Sequence, residues 1–419
     1  MKPRYDVVIC GASIAGCTAA TLYARRGARV ALVERRADPA AYKVLCTHFI
    51  QPCGQPVLSE LGLIGELEAA GAVRNAAHYW TRWGWIRPGA DGRSLPYGYN
   101  VRRETLDPML RRLAAGTPGV DLLLGHTVQR LLTGEGGTTG VVTEGPDGPR
   151  ELRARLVVGA DGRDSTVAKL AGLPAKEAGN GRFSYFAQFR GLPRPDGDTT
   201  YAWFREPDVA YAMPNDDDVT VIAVIPSAER LAEFRDDLPG AYRRFVASLP
   251  NAPSLYGAEQ VSKIIGTVHY PLVSRAPVGD GLALIGDAAL TSDPLWGVGC
   301  GWALQSAQWL VEATAEAVQG LGSLPRALTR YRRKHRSRLH GHQHLISDYA
   351  GARPFNPIER LMFSAAARDA GMAEHMHLFG SRLTRVRDFL SPVAMARAAA
   401  VNLRHKRHPR PELVPTHRV

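Results

Sequence analysis

The sequence predicts an α/β chain with three parts: a parallel sheet assembled from separated segments, an inserted antiparallel sheet, and a helical C-terminal region. Three observations predict it. The apolar run Asp6-Val7-Val8-Ile9-Cys10 stops at a glycine-bounded turn, a helix of small residues follows, and a second apolar run ends in Glu34. Two further buried-type runs stand far downstream, at 156–160 and 281–285. Between them, residues 182–272 carry short alternating segments rich in aromatics, the pattern of half-buried antiparallel strands.

Taken in order, the first strand is read at 6–10, the helix at 17–26 with Gly27 as its C-terminal cap, and the second strand at 29–33. A loop with Pro39, Pro52 and Gly54 leads into one helix over 55–70. Residues 76–100 hold Trp80, Trp83, Trp85 and three tyrosines between Gly and Pro. A helix at 105–115 precedes strands at 120–124, 127–132, 141–144 (after a glycine-rich turn at 134–140) and 156–160. The alternating segments are 184–190, 199–204, 209–213 and 219–225, with a tight turn at Asn215-Asp216-Asp217-Asp218. A strand at 281–285 and a helix at 301–318 follow, and 324–403 is helical in composition.

The 419 residues are 45% hydrophobic and 22% charged, which excludes a disordered chain, and five cysteines exclude a disulfide scaffold. No run approaches the ~20 apolar residues of a membrane span. The first apolar run ends at Gly11, too short for a signal-peptide core, and the odd cysteine count reads as reduced thiols in the cytoplasm. The net charge of +12 rests almost wholly on arginine. Two basic clusters, 330–336 and 404–408, read as solvated helix faces and a tail with no nucleic acid as partner.

Gly11-Ala12-Ser13-Ile14-Ala15-Gly16 follows a strand, opens a helix, and precedes Glu34 at the end of the next strand. That context points to a Rossmann-type dinucleotide site. Gly11 makes the tight turn, Gly16 lets helix pack on strand, the helix N-terminus offers N–H groups to a pyrophosphate, and Glu34 accepts ribose hydroxyls. The middle glycine of the usual pattern is Ser13 here.

Three more motifs decide which dinucleotide: Gly159-Ala160-Asp161-Gly162-Arg163-Asp164-Ser165; Gly286-Asp287-Ala288-Ala289 leading through Pro294-Leu295-Trp296-Gly297-Val298-Gly299 into a helix; and Arg103-Glu104-Thr105-Leu106-Asp107-Pro108. In this order and spacing the set resembles the flavoprotein aromatic hydroxylases of the p-hydroxybenzoate hydroxylase fold, whose superfamily includes flavin-dependent halogenases and geranylgeranyl reductases. The resemblance implies a Rossmann-like FAD-binding domain in three stretches, 1–75, 101–181 and 273–330. A substrate domain is then formed by 76–100 and 182–272, and C-terminal helices with a basic tail by 331–419. It implies non-covalent FAD held by Gly11, Ser13, Ile14, Ala15, Gly16, Glu34, Arg35, Arg103, Val128, Asp161, Gly286 and Asp287. Asp287 would take the ribitol, and Pro294, Gly297, Val298, Gly299 and Cys300 would lie against the ring. Two departures, Ala168 for the usual arginine and Gly301 for a frequent asparagine, lean toward the halogenase and reductase branches.

The expected activity is that of an FAD-dependent monooxygenase. NAD(P)H reduces the flavin in a transient visit, O₂ adds as a C4a-hydroperoxide, and a hydrophobic aromatic or polyketide substrate is hydroxylated or epoxidised. A halogenase, an isoprenoid double-bond reductase and a non-redox cyclase are the alternatives. Trp83-Gly84-Trp85-Ile86-Arg87-Pro88 resembles a halogenase signature, but Gly71-Ala72-Val73-Arg74-Asn75 lacks the amine that would capture hypohalous acid, and Lys43 lies too early. His48 is a candidate acid or base. Tyr185, Phe186, Trp203, Tyr211 and Trp296 are candidates for the substrate pocket. Cys46 and Cys53 read as free thiols, and His340, His342 and His344 as solvent-facing with no metal. The chain is expected to work as a monomer or homodimer, with a flavin reductase as an alternative electron source and no integral membrane association.

Overall fold

The computed structural model describes residues 4–407 apart from 91 and 195. Strand Arg4–Cys10 sits at the middle of the first sheet, parallel to Val30–Glu34 on one side and to Gly148–Gly159 on the other. Leu282–Leu284 and Val120–Leu124 extend the sheet in parallel at either flank. Helix Ile14–Arg25 is buried from Ile14 to Ala24, and its small side chains let helices Arg103–Gly116 and Gly299–Val318 approach it closely. The register puts Cys10 beside Val33 and Gly159, and Gly159 beside Leu284. Four strands therefore end together, and the turns that follow them converge on one edge, where open α/β sheets bind ligands.

Several elements differ from expectation. The helix at 55–70 is two, Gln55–Leu61 and Ile64–Ala69, because Gly62 takes a left-handed φ of 78° between them. The hairpin near 134–140 turns at Glu135-Gly136 alone, so strands run on to Gly134 and resume at Gly137. Strand Val73–Asn75 pairs with Gly98–Asn100, which pairs with Phe49–Ile50, so residues 98–100 join the first part of the chain rather than the second sheet. The boundary expected at 330 falls inside a single helix, Leu324–Ala350.

The second sheet is mixed, not purely antiparallel. Ser184–Arg190, Thr220–Ile225, Asp208–Pro214 and Thr200–Arg205 pair antiparallel, but Ala77–Thr81 lies parallel to Thr200–Arg205. Hairpins force antiparallel pairing; a strand arriving from more than a hundred residues upstream is free to run either way. Alternation divides the sheet into two faces. Tyr185, Ala187, Phe189, Trp203 and Val224 pack against helix Leu238–Ala247, while Phe186, Phe204, Tyr211, Met213 and Ala223 face the first sheet and the C-terminal helices.

Those helices, Pro357–Ala366, Ala370–Gly380 and Pro392–Arg407, close over the second face through Phe355, Phe363, Met376 and Phe379. No helix among the described residues is long and apolar enough to cross a membrane. In the cluster at 330–336, Arg330, Arg332, Arg333 and Arg336 are exposed while Tyr331 and His335 are buried; residue 408 of the second cluster lies outside the described residues. Burial pushes the His335 imidazole down to about 4. The folded chain thus keeps it neutral where the unfolded chain takes up a proton near pH 6.5. Stability is expected to be flat above that pH and to fall as pH drops toward 4, by on the order of 3 kcal/mol from this group. Denaturation of wild type and His335→Phe at pH about 7.5 and about 4.5 checks it. An equal loss in both proteins contradicts a buried neutral His335.

Candidate active site

The convergent edge is built from backbone constraints. Gly11 has a φ of +108°, and a Cβ there would lie 2.5 Å from the Ala160 carbonyl oxygen. A Cβ at Gly16 would overlap the Gly11 carbonyl oxygen. Ser13 is the N-cap of helix Ile14–Arg25 yet caps nothing; its hydroxyl accepts instead from Arg103 Nη2 at 2.7 Å. The N–H groups of Ile14, Ala15 and Gly16 start the helix and point out of it. Glu34 accepts from the Ala12 N–H at 2.9 Å and the Arg36 N–H at 3.0 Å, which fixes its carboxylate beside the glycine turn. Arg35 is exposed next to it. Val128 is half-buried on a strand whose entry is tied to Glu34 by the His126 N–H, 2.9 Å from the Glu34 carbonyl oxygen.

Asp161 follows Ala160, whose N–H donates to the Cys10 carbonyl at 2.8 Å. Its carboxylate is spent on its own loop, accepting from Ser165 Oγ at 2.6 Å and the Val167 N–H at 3.0 Å. Gly286 has a left-handed φ of 57°, donates its N–H to Ser306 Oγ and packs against Ala15, bringing Asp287 to the same edge. There Asp287 meets Lys43 Nζ at 2.9 Å. Sequence reasoning missed this pair, since nothing in the spacing links two residues so far apart.

The turn Pro294–Trp296 is capped by Asp293, which accepts from the Leu295 N–H at 2.9 Å, and is held by Gln51 Nε2 on the Trp296 carbonyl at 2.6 Å. Gly297 needs its φ of +58°, and a Cβ there would lie 2.5 Å from Phe49. Val298 leads into helix Gly299–Val318, where a Cβ on Gly299 would meet nothing within 4 Å. Cys300 Sγ lies 4.0 Å from Cys46 Sγ. Cys53, the partner weighed for Cys46 from the sequence, is buried elsewhere, against Gly301. All five cysteines are free. The Cys300 hydrogen bond, with Arg103, His48 and Lys43 nearby, holds the Cys46 thiol well below its ordinary range despite burial.

Arg103 knits this edge together. It is 3% exposed, forks onto Asp107 through Nε at 2.8 Å and Nη2 at 2.9 Å, and gives its N–H to His48 Nδ1 at 2.9 Å. Asp107 also accepts the Lys43 N–H at 3.0 Å, pinning the loop that carries Cys46 and His48. His48 adopts a left-handed φ of 61°. Burial lowers its pKa, and with Nδ1 accepting, the proton rests on Nε2, a buried N–H without a partner.

The sequence-predicted aromatics separate by face. Tyr211 donates to the Leu295 carbonyl, and Trp296 packs on Phe204 with ring centroids 5.5 Å apart, so both stand at the turn. Phe186 is on the same face. Tyr185 and Trp203 are not: Tyr185 stacks on Phe234, and Trp203 donates its Nε1 to the Pro250 carbonyl at 2.7 Å. Alternation turns them away from the first sheet. Tyr79 and Phe204 complete the wall instead. His342 is buried, while His340 and His344 are exposed, so the expectation of three solvent-facing histidines is corrected for the middle one.

A family model described as FAD binding domain matches residues 4–342. The chain belongs to this FAD-binding family. FAD fits the edge: an orphaned buried N–H at His48, open space before Gly299, and two helix N-termini suit a flat ring and a pyrophosphate. The chain is 38% identical over 175 residues to the 6-methylpretetramide 4-monooxygenase of Streptomyces rimosus, an alignment spanning 40% of this chain and 41% of that protein. It is 27% identical to digeranylgeranylglycerophospholipid reductase 1 of Methanococcoides burtonii, over 80% of each chain. A flavin-dependent brominase shares the fold with a TM-score of 0.75 at 18% identity, covering 97% of this chain and all of that one.

Proposed function

We propose that this flavoprotein is a monooxygenase that places one oxygen atom from O₂ on an electron-rich carbon of a hydrophobic aromatic or polyketide-type molecule. The observation that carries this reading is the wall of Tyr79, Phe204, Tyr211 and Trp296 beside the Pro294–Gly299 turn, with no free amine at it. The Lys43 ammonium is tied to Asp287, and Arg74, where a halogen-capturing lysine would be sought, is bound to Glu68 at 2.6 Å. The likeness to a monooxygenase over two fifths of the chain supports it.

FAD, reduced by NAD(P)H, supplies the activated oxygen. The chain supplies the rest. Glu34 would take the ribose hydroxyls, the first turn of helix Ile14–Arg25 the pyrophosphate, and Asp287, paired with Lys43, the ribitol. The opening of helix Gly299–Val318 would offer N–H groups and a positive dipole end to the ring. His48 Nε2–H donates; held neutral with Nδ1 occupied, it is suited to orient a carbonyl or ring oxygen rather than to act as a base. The aromatic wall keeps water from the reacting carbon. Five free thiols accord with work in the cytoplasm.

A double-bond reductase is the second reading, favoured by the reductase likeness over four fifths of the chain. Holoenzyme turned over with NAD(P)H, labelled O₂ and a panel of polycyclic polyketide phenols separates the two. A product carrying one labelled oxygen is expected. A product heavier only by two hydrogens, or bearing halogen when bromide is present, overturns the monooxygenase.

A further inference from the structure

We propose that the cavity between helix Gly299–Val318, helix Leu324–Ala350 and residues 382–385 binds a small organic oxyanion, with the Arg382 guanidinium as its inner contact. The cavity does not depend on the reaction assigned above, and its Arg382 reaches the Trp296 turn.

The cavity measures about 180 Å³, and Trp302, Trp309, Lys334, Arg338, His342 and Arg382 line it, with Arg385 at the same segment. That is on the order of six water volumes, room for a one-ring acid or a phosphate but not for a dinucleotide. No acidic side chain lines it. Lys334 has Glu312 at 3.5 Å, but neither Arg338 nor Arg385 makes an ion pair among the described residues.

Arg382 is the decisive group. Its backbone is held at a left-handed φ of 63°, which a non-glycine residue adopts only under constraint. Nη1 donates to His342 Nδ1 at 3.1 Å, while Nε and Nη2 are sealed from water with no partner. The guanidinium carbon lies 5.4 Å from the Trp296 ring centroid and 5.6 Å from that of Phe379. The ionisable groups facing it are Cys53, Tyr79 and Tyr211, all pushed up by burial and neutral near pH 7. His342 is held down to about 3 by burial and by Arg382 itself, so it accepts a hydrogen bond but brings no negative charge.

A buried guanidinium with two idle donors and no counter-ion is unfavourable unless something else supplies the charge. Trp302, 3% exposed, lines the cavity, and its buried Nε1–H has no partner. The cationic side chains of Lys334, Arg338, Arg382 and Arg385 beside the indoles of Trp302 and Trp309 match a carboxylate, phenolate or phosphate carried beside a flat ring. Such a group could belong to a ring-bearing acid or be free inorganic phosphate. Because Arg382 also stacks on Trp296, a bound anion would touch the turn that leads to the flavin-side helix.

The test uses the FAD-loaded full chain and calorimetric titration with sodium benzoate, neutral benzamide and inorganic phosphate at constant ionic strength. Saturable benzoate binding is expected, weakened about tenfold or more in Arg382→Gln and several-fold in Arg338→Gln, with benzamide not binding. Arg338 is exposed on its helix, so that variant reports even where Arg382→Gln fails to fold. Tighter binding of phosphate than of benzoate assigns the anion to free phosphate; the reverse assigns it to a ring-bearing acid. Absence of benzoate binding up to roughly 10 mM, equal binding of benzamide, or unchanged affinity in Arg338→Gln overturns the proposal.

Discussion

Gly299→Val is expected to abolish FAD-dependent turnover while leaving the chain folded. The two halves of this outcome have separate causes. Gly299 opens helix Gly299–Val318 without a left-handed φ, and a Cβ there meets nothing within 4 Å. Valine therefore costs no backbone strain, and in helix propensity it is favoured over glycine by a few tenths of a kcal/mol. The open space, however, faces the first-turn N–H groups, where we propose the flavin ring lies. An isopropyl group there displaces the ring or bars it. Gly297→Ala should behave in the opposite way: its φ of +58° costs alanine about 1–2 kcal/mol, and Phe49 must move from 2.5 Å. Thermal denaturation and flavin content of the two purified variants, measured beside NAD(P)H-driven turnover, separate the cases. Wild-type turnover in Gly299→Val would put the ring elsewhere.

The difference between those glycines was not legible in the sequence, where both read as making way for the ring. The glycine turn at 11–16 was legible because its meaning is local: strand, turn, helix and Glu34 fall within one stretch of chain, so spacing alone carries the geometry. What spacing could not carry was contact across the chain. Tyr185 and Tyr211 look alike as aromatic strand residues, yet pairing of Tyr185 with Val224 and of Tyr211 with Ala223 puts them on opposite faces. A register offset of one residue decides it, and nothing near either tyrosine states the register. The parallel strand Ala77–Thr81 escaped for a related reason, since its partner lies more than a hundred residues on. His342 is the extreme case: a histidine in charged helical sequence reads as solvated until packing buries it.

Arg103→Met is expected to destabilise the chain strongly and to loosen FAD as well. Burial works against the charge of this guanidinium, and the Asp107 carboxylate outweighs it, so Arg103 keeps its charge in a dry site. Removing one member of such a pair leaves the other uncompensated, a loss of about 3–5 kcal/mol. The same side chain holds Ser13 at the start of the glycine-turn helix, so the FAD edge loosens with it. A double variant, Arg103→Met with Asp107→Leu, distinguishes the two roles. Replacing both charges with apolar groups of similar volume removes the uncompensated carboxylate, and most of the lost stability should return. Affinity for FAD should not return, because neither new side chain donates to Ser13 or accepts the Lys43 N–H. Urea denaturation of the apo-proteins gives the first quantity, and fluorescence titration with FAD the second. Full recovery of FAD affinity in the double variant would show that Arg103 supports the fold alone. Undiminished stability in the single variant would remove the buried pair from the account.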